Sequence, residues 1–350
     1  MIHNPKHYLC NRYCAKSTLV SLRSAIDDSW LVDEPKIGSD KSVSPQKVID
    51  FDLSSVDSPQ IQENKELSQA AIDTEAPVNN CEILNETSEV KRRRYSSPYS
   101  FYGAIDIGAS DLACLEEGKW LNDVIVDFYM EHLLATYMTN RRAERIFCLS
   151  SLASPAVQRF DRRTSGCGSV LLDAYKAFEP FTKRIDLFSK DFVLFPLSLS
   201  YHWILVIICY PSWLLLQGAT SRLYPDRKCC ILIFDSFGAS TRSSSTAQRL
   251  RGLLEEEWKA KKVPLGHPPL EFKSTTIPLR NMKVPLQMNC SDCGLFVLHY
   301  AETFLKHLFS DDKFSLSKFC VADLTDWFPL ADIERKRSDI KNMVLKLPIV

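Results

Sequence analysis

The stretch QMNCSDCGLF, residues 287–296, places Cys290 and Cys293 in a C-x-x-C spacing just ahead of an apolar run. That spacing admits more than one chemistry. A redox couple of this form usually follows a strand in a thioredoxin-like βαβ unit; here Ser291 and Asp292 fill the middle and Gly294 follows the second thiol. A zinc site needs a second ligand pair at comparable spacing. Cys229 and Cys230 are adjacent, which is poor ligand geometry, and His3, His7, Cys10 and Cys14 would make only a small separate knot. The remaining chemistry is a lone catalytic thiol. Cys293 lies where a loop turns into a helix, so the positive end of the helix dipole favours its thiolate. Gly294 beside it allows close approach of backbone or substrate.

A thiolate nucleophile needs an imidazole and a group to orient it. His202 opens the apolar run HWILVIICY, and Asp235 closes the run CCILIFD. If those runs are neighbouring strands, both side chains project at one edge of a sheet and suit a Cys-His-Asp triad. Gln287, in the loop before Cys293, could turn its side-chain NH2 toward a developing oxyanion. Each residue also has an ordinary structural reading: a core histidine, a turn-forming aspartate, a solvated glutamine. The order His, Asp, Gln, Cys, each at the end of an element, is what argues for a site. His299 follows Cys293 on the same helix but well round its axis, and reads as structural. Asp292 reads as a helix-start residue that favours the dipole.

These residues need a mixed framework to hold them. DFVLFPL, HWILVIICY and CCILIFD are short runs rich in Val, Ile and Phe, as expected of central strands buried on both faces. The interval 192–216 has no Asp, Glu, Lys or Arg, but Pro196, His202 and Pro211 divide it into pieces too short to cross a bilayer, so two strands are expected. WLNDVIVDFYMEHLLATYM predicts a helix capped by Asn122, with Asp123, Asp127 and Glu131 on one face and Val124, Ile125, Phe128, Tyr129 and Leu133 on the other. Further helices are expected over 169–178, 245–262 and 293–309, a strand over KSTTIPL, and a closing helix whose stripe is Ile333, Ile340, Val344 and Leu347.

Lys+Arg and Asp+Glu are equal at 43 each, which gives no electrostatic footprint for a nucleic-acid binder. The opening residues MIHNPKHYLCNRYC hold no apolar run of the secretory type. With 12 cysteines in the chain, this predicts free thiols in a reducing compartment. Cys114, Cys148 and Cys209 read as small core residues. Residues 1–97 are rich in Ser, Asn, Gln, Glu, Asp and Pro and predict a mostly disordered regulatory or targeting tail; residues 98–350 predict one compact domain. In the tail, Val48, Ile49, Phe51 and Leu53 alternate with acids, a pattern able to add a strand to a partner's sheet. The run KRRR at 91–94 reads as a nuclear localisation signal, so a nuclear protein, also present in cytoplasm, is expected.

W-L-N-D (120–123) leading into a helix, H-W (202–203), the strand-ending Asp in F-D-S-F (234–237), and Q-x(5)-C-G with S-D-C-G (291–294) together resemble the SUMO-specific (sentrin-specific) cysteine proteases of the ubiquitin-like-protein protease family. DLACLEEGKWLNDVIVDFYMEHL and the final segment are similar to the branch that trims poly-SUMO chains, with residues 211–228 as a compact insertion. The resemblance implies an α+β, papain-like/adenain-like fold: a central mixed sheet flanked by helices, with the nucleophile at a helix N-terminus. It implies Cys293 as nucleophile, His202 as base, Asp235 as its orienting partner, and Gln287 with the Cys293 N–H as the oxyanion hole. Trp120 and Trp203 would cover a narrow channel over the substrate's Gly-Gly tail. The expected partners are SUMO and SUMO conjugates, with the 48–53 segment as a SUMO-interaction motif, and no cofactor, metal, nucleic acid or membrane. Cys290 has no role in this scheme beyond a regulatory disulfide with Cys293 under oxidation. A protease for another ubiquitin-like modifier and a catalytically silent SUMO-binding module remain alternatives.

Overall fold

The computed structural model describes residues 91–159, 168–216, 226–239, 241–310 and 314–350. The tail segment with its alternating motif, the His3–Cys14 set and the middle of the 211–228 insertion lie outside the described residues.

The strands are β1 (Arg93–Tyr95), β2 (Ile105–Ile107), β3 (Ile146–Cys148), β4 (Phe192–Leu199), β5 (His202–Cys209), β6 (Cys230–Phe234) and β7 (Leu279–Asn281). The α-helices are α1 (Ala109–Ala113), α2 (Asp123–Tyr137), α3 (Ser154–Arg159), α4 (Gly168–Thr182), α5 (Thr241–Lys261), α6 (Cys293–Ser310), α7 (Leu316–Val321) and α8 (Ala331–Leu345). β3 to β7 form one mixed sheet in that order: β4–β5 and β5–β6 are antiparallel, while the outer pairs β3–β4 and β6–β7 are parallel. β1 and β2 form a separate antiparallel pair.

The apolar runs become strands because both sheet faces are covered. Leu194, Trp203, Leu205, Ile207, Leu232 and Phe234 face a core shared with α2, α6 and α8. The alternate residues, among them Val193, Phe195, Ile204, Val206, Ile231 and Ile233, face a second core with α4 and α5. Side chains alternate along a strand, so only two-sided burial makes a run apolar throughout. Among the described residues, no helix is long and apolar enough to cross a membrane.

Two local outcomes differ from the expectations and a third adds to them. In KSTTIPL only Leu279 enters β7; residues 274–276 turn, and Pro278, which has no N–H to donate, instead accepts from Ile231 N at 2.9 Å. On the acidic face of α2, Asp127 and Glu131 are engaged by groups from neighbouring loops. Asp127 accepts from Ser150 Oγ at 2.5 Å and Ser151 N at 2.8 Å, and Glu131 from Ser100 Oγ at 2.8 Å. Burial pushes the Glu131 carboxyl up to about 7 against the opposing pull of the Ser100 hydroxyl. Finally, the folded unit takes in residues ahead of 98. β1 pairs with β2, Arg94 Nε meets Asp106 Oδ1 at 2.6 Å, and Arg93 Nη1 donates to Leu345 O at 2.7 Å and Leu347 O at 2.9 Å.

Candidate active site

Two strand ends and one helix start meet on one side of the sheet. His202 is the first residue of β5 and Asp235 directly follows β6, which is antiparallel to it, so both lie at the same sheet edge. Leu199 pairs with His202, leaving Ser200 and Tyr201 as a two-residue turn with φ of 48° and 65°. Both sit in the left-handed region of the two-residue type I′ hairpin. Neither is glycine, and each such placement costs about 1–2 kcal/mol. The strain sits immediately before His202.

His202 Nε2 lies 2.7 Å from Asp235 Oδ1, and both side chains are about nine-tenths buried, at 9% and 10% exposure. Asp235 Oδ1 also accepts from Phe237 N at 2.9 Å, which fixes the carboxylate from a second side. The Phe237 ring stacks on the imidazole at 4.5 Å and 19°. With Nε2–H given to the carboxylate, Nδ1 is the nitrogen left for the thiol. Nδ1 is buried without a hydrogen bond of ordinary geometry. Burial opposes protonation of the ring, but the Asp235 carboxylate and the nearby Cys293 sulfur outweigh it and raise the imidazole to about 9.

Cys293 opens α6, is buried, and is a free thiol, so it is not bonded to Cys290. Burial pushes the thiols of Cys148 and Cys229 well above the ordinary value, as suits inert core residues. Gly294 has a steric reason: a Cβ there would lie 3.0 Å from Leu121 Cβ and 3.1 Å from Leu121 Cγ. The helix start is thereby pressed onto the W-L-N-D loop. Asn122 caps α2 by accepting from Ile125 N at 3.1 Å.

Gln287 is buried. Its Oε1 accepts from Ser236 Oγ at 2.5 Å, and its Nε2 donates to Asn289 O at 2.6 Å. Gln287 N also donates to Ser236 O at 3.0 Å. The amide is oriented at both ends, and one of its two N–H bonds remains to offer. Trp120 Nε1 donates to Cys290 O at 2.6 Å, and its ring stacks on Tyr201 at 6.2 Å. What Cys290 supplies to the site is this carbonyl. Trp203 is only 7% exposed and donates through Nε1 to Leu121 O at 3.0 Å, so most of its ring is core.

Sequence reasoning missed Ser236, Phe237 and Arg337. The buried Arg337 guanidinium donates to Cys114 O (3.1 Å), Glu116 O (3.2 Å), Lys119 O (2.6 Å) and Asp292 Oδ1 (2.5 Å). It ties the loop before Trp120 to the loop before Cys293. Asp292 is therefore an ion-pair partner, held also by Asn289 Nδ2 at 2.8 Å. The signal was present in α8: Ile333, Arg337, Ile340 and Val344 share one helical stripe, and a charge on a buried stripe calls for acceptors. His299 stands apart from the site, edge-on to Phe328 at 4.2 Å and 3.6 Å from Glu302 Oε2. Among the described residues, no group of three or more His, Cys, Asp or Glu side chains could hold a metal.

Comparison with known proteins gives the same reading from outside the geometry. Mouse sentrin-specific protease 7 is 29% identical over 324 residues, covering 78% of this chain and 30% of its own. Ubiquitin-like-specific protease 2 of Schizosaccharomyces pombe is 29% identical over 280 residues, covering 71% of this chain and 41% of its own. The chain thus spans well under half the length of these relatives. A crystal structure described as that of the de-sumoylating protease shares the fold, with a TM-score of 0.53 at 21% identity, covering 72% of this chain and 90% of that one. The sequence model for the C-terminal catalytic domain of the Ulp1 protease family matches residues 119–337, most of the described chain, and the protein belongs to that family of cysteine proteases.

Proposed function

We propose that this chain cleaves after the C-terminal Gly-Gly of SUMO, removing SUMO from lysine isopeptide conjugates and trimming poly-SUMO chains. The observation that carries the reading is the buried His202–Asp235 pair, 2.7 Å apart, beside a free thiol at the start of α6. Names of relatives such as sentrin-specific protease 7 support the substrate.

In this reading His202 Nδ1 takes the Cys293 proton, and the thiolate attacks the glycine carbonyl carbon. The oxyanion receives the free N–H of Gln287 Nε2 and the Cys293 N–H, which as a first helical residue has no intrahelical acceptor. The imidazolium protonates the leaving lysine amine, forming a thioester. His202 then deprotonates a water that attacks the thioester, returning the thiol. Asp235 holds the ring in the required tautomer throughout.

Trp120, pinned to Cys290 O and braced by Tyr201, is the lid of the Gly-Gly channel; Trp203 is its wall. Side chains are excluded there sterically, so a diglycine passes and larger residues do not. Phe237, Leu286 and Met288 are 48%, 40% and 79% exposed and supply an apolar rim for the modifier. The residues ahead of β1 are proposed as a tail outside the catalytic domain, which takes in β1 itself, with Val48, Ile49, Phe51 and Leu53 as a SUMO-interaction motif. A nuclear address in residues 91–94 would rest on Lys91 and Arg92, because Arg93 and Arg94 are engaged in the fold.

The test is hydrolysis of C-terminal fluorogenic amides of SUMO and ubiquitin, followed by poly-SUMO chains. Cleavage of SUMO and its chains, with ubiquitin slower by at least about 100-fold, is expected of a pocket that reads buried surface. Cleavage of another modifier alone would keep the chemistry and overturn the substrate. No cleavage of any, by folded protein, would favour a silent binder.

A further inference from the structure

Among the described residues, Arg251 has no counterpart for its charge. It lies in α5, on the face of the sheet opposite α6, and is 8% exposed. Buried arginines are almost always matched to a carboxylate. Among the described residues the only hydrogen bond of Arg251 is from Nε to Ile277 O, at 2.7 Å. Its end nitrogens are not sealed in the core. They border a cavity of about 420 Å³ whose other walls include Ser244, Gln248, Lys273, Ser274 and Thr275, over a floor of Phe272. The nearby carboxylates are engaged elsewhere. Glu255 Oε1 meets Lys259 Nζ at 3.0 Å and its Oε2 accepts from Phe272 N at 3.4 Å. Glu271 pairs with Lys273 out in solvent, where both side chains exceed 60% exposure and the pair can open at little cost.

The set is therefore a planar guanidinium fork at the back, a mobile ammonium at the rim, hydroxyls on two sides and one amide. A fork of this kind matches two oxygens of a tetrahedral anion, and hydroxyls with a point charge complete the shell. Burial lowers the Arg251 guanidinium below its ordinary value, as desolvation does to any cation. We propose that this pocket is a binding site for a phosphate group, either a free phosphate or a phosphomonoester carried on a serine or threonine. The cavity is far larger than one phosphate, which suits a phosphoryl group carried on a larger molecule. The inference does not depend on the protease reading.

Calorimetric titration of the full chain with inorganic phosphate and with a phosphoserine peptide, against sodium chloride of equal ionic strength, tests it. Saturable binding is expected, tenfold or more weaker in Lys273→Glu and absent in Arg251→Gln. Tighter binding of the peptide would assign the protein-borne source; equal or tighter binding of inorganic phosphate would assign the free anion. Lys273 is exposed, so Lys273→Glu folds normally and keeps the test decisive even if Arg251→Gln does not fold. No saturable binding of either probe, or binding unchanged in Lys273→Glu, would overturn the proposal.

Discussion

Removing the Arg337 fork should disable the enzyme from a distance. Arg337→Gln keeps a polar side chain of moderate length but loses the charge and most of the donors. The carbonyls of Cys114, Glu116 and Lys119 and the Asp292 carboxylate would each lose the bond from this guanidinium. Breaking a buried ion pair by deleting one partner costs about 3–5 kcal/mol. Asp292 and Arg337 side chains keep 19% and 11% exposure, so water relieves part of this and the low end, about 3 kcal/mol, is appropriate. For a domain of this size that corresponds to a melting shift of about 6–12 °C. The loops released carry Trp120 and Cys293, and displacement of a reacting group by about 1 Å costs on the order of 100-fold in rate. Thermal unfolding and kcat/KM on a SUMO amide, measured well below the melting point, separate the two effects. Arg337→Lys retains charge but not the fork and should recover part of the stability and little of the rate. A variant Arg337→Gln that melts within about 2 °C of wild type and cleaves as fast would refute the clamp. Lost stability with an unchanged rate per folded molecule would refute its positioning role.

Other consequences are simpler to state. His202 is raised from 6.5 to about 9, so its protonated form, and the stability it contributes, are full below pH 6.5 and lost as pH climbs through 9. The alkaline limb of kcat/KM should fall near pH 9; Asp235→Asn should move it downward and reduce the rate, and a limb near 6.5 in wild type would contradict the assignment. Gly294→Ala forces a Cβ to within 3.0 Å of Leu121 and should cost about 1–3 kcal/mol of stability in a melting curve, with a loss of activity because Leu121 O holds Trp203. Ser236→Ala removes one of the two bonds that orient the Gln287 amide and should lower kcat about tenfold with little change in KM; an unchanged kcat would show that Ser236 does not position the amide.

The parts of this fold that were legible in the sequence are those whose pattern depends on burial alone. β4, β5 and β6 read as continuous apolar runs because both of their faces are covered, and α6 reads as apolar because it lies against the sheet between α2 and α8. β1, β2, β3 and β7 have 3 residues each, too few for periodicity to register, and β3 and β7 are set by partners distant in the chain. The site followed the same division. His202, Asp235 and Cys293 stand at element ends and could be found there. Trp203 is mostly core, the ordinary place of an indole in a buried strand. Asp292 stands at the helix start, as read, but its ion pair with Arg337, and the partners of Asp127 and Glu131, come from elements far away in sequence and leave no local pattern.

In the proposed reaction Cys293, activated by His202, attacks the C-terminal carbonyl of SUMO. Incubation of the full chain with SUMO bearing a C-terminal electrophile, followed by peptide mass spectrometry, reads this in one step, with ubiquitin bearing the same group alongside. One SUMO adduct is expected, on Cys293, absent in Cys293→Ala and strongly slowed in His202→Ala. An adduct on another cysteine, one that survives Cys293→Ala, or labelling by ubiquitin in place of SUMO would contradict it.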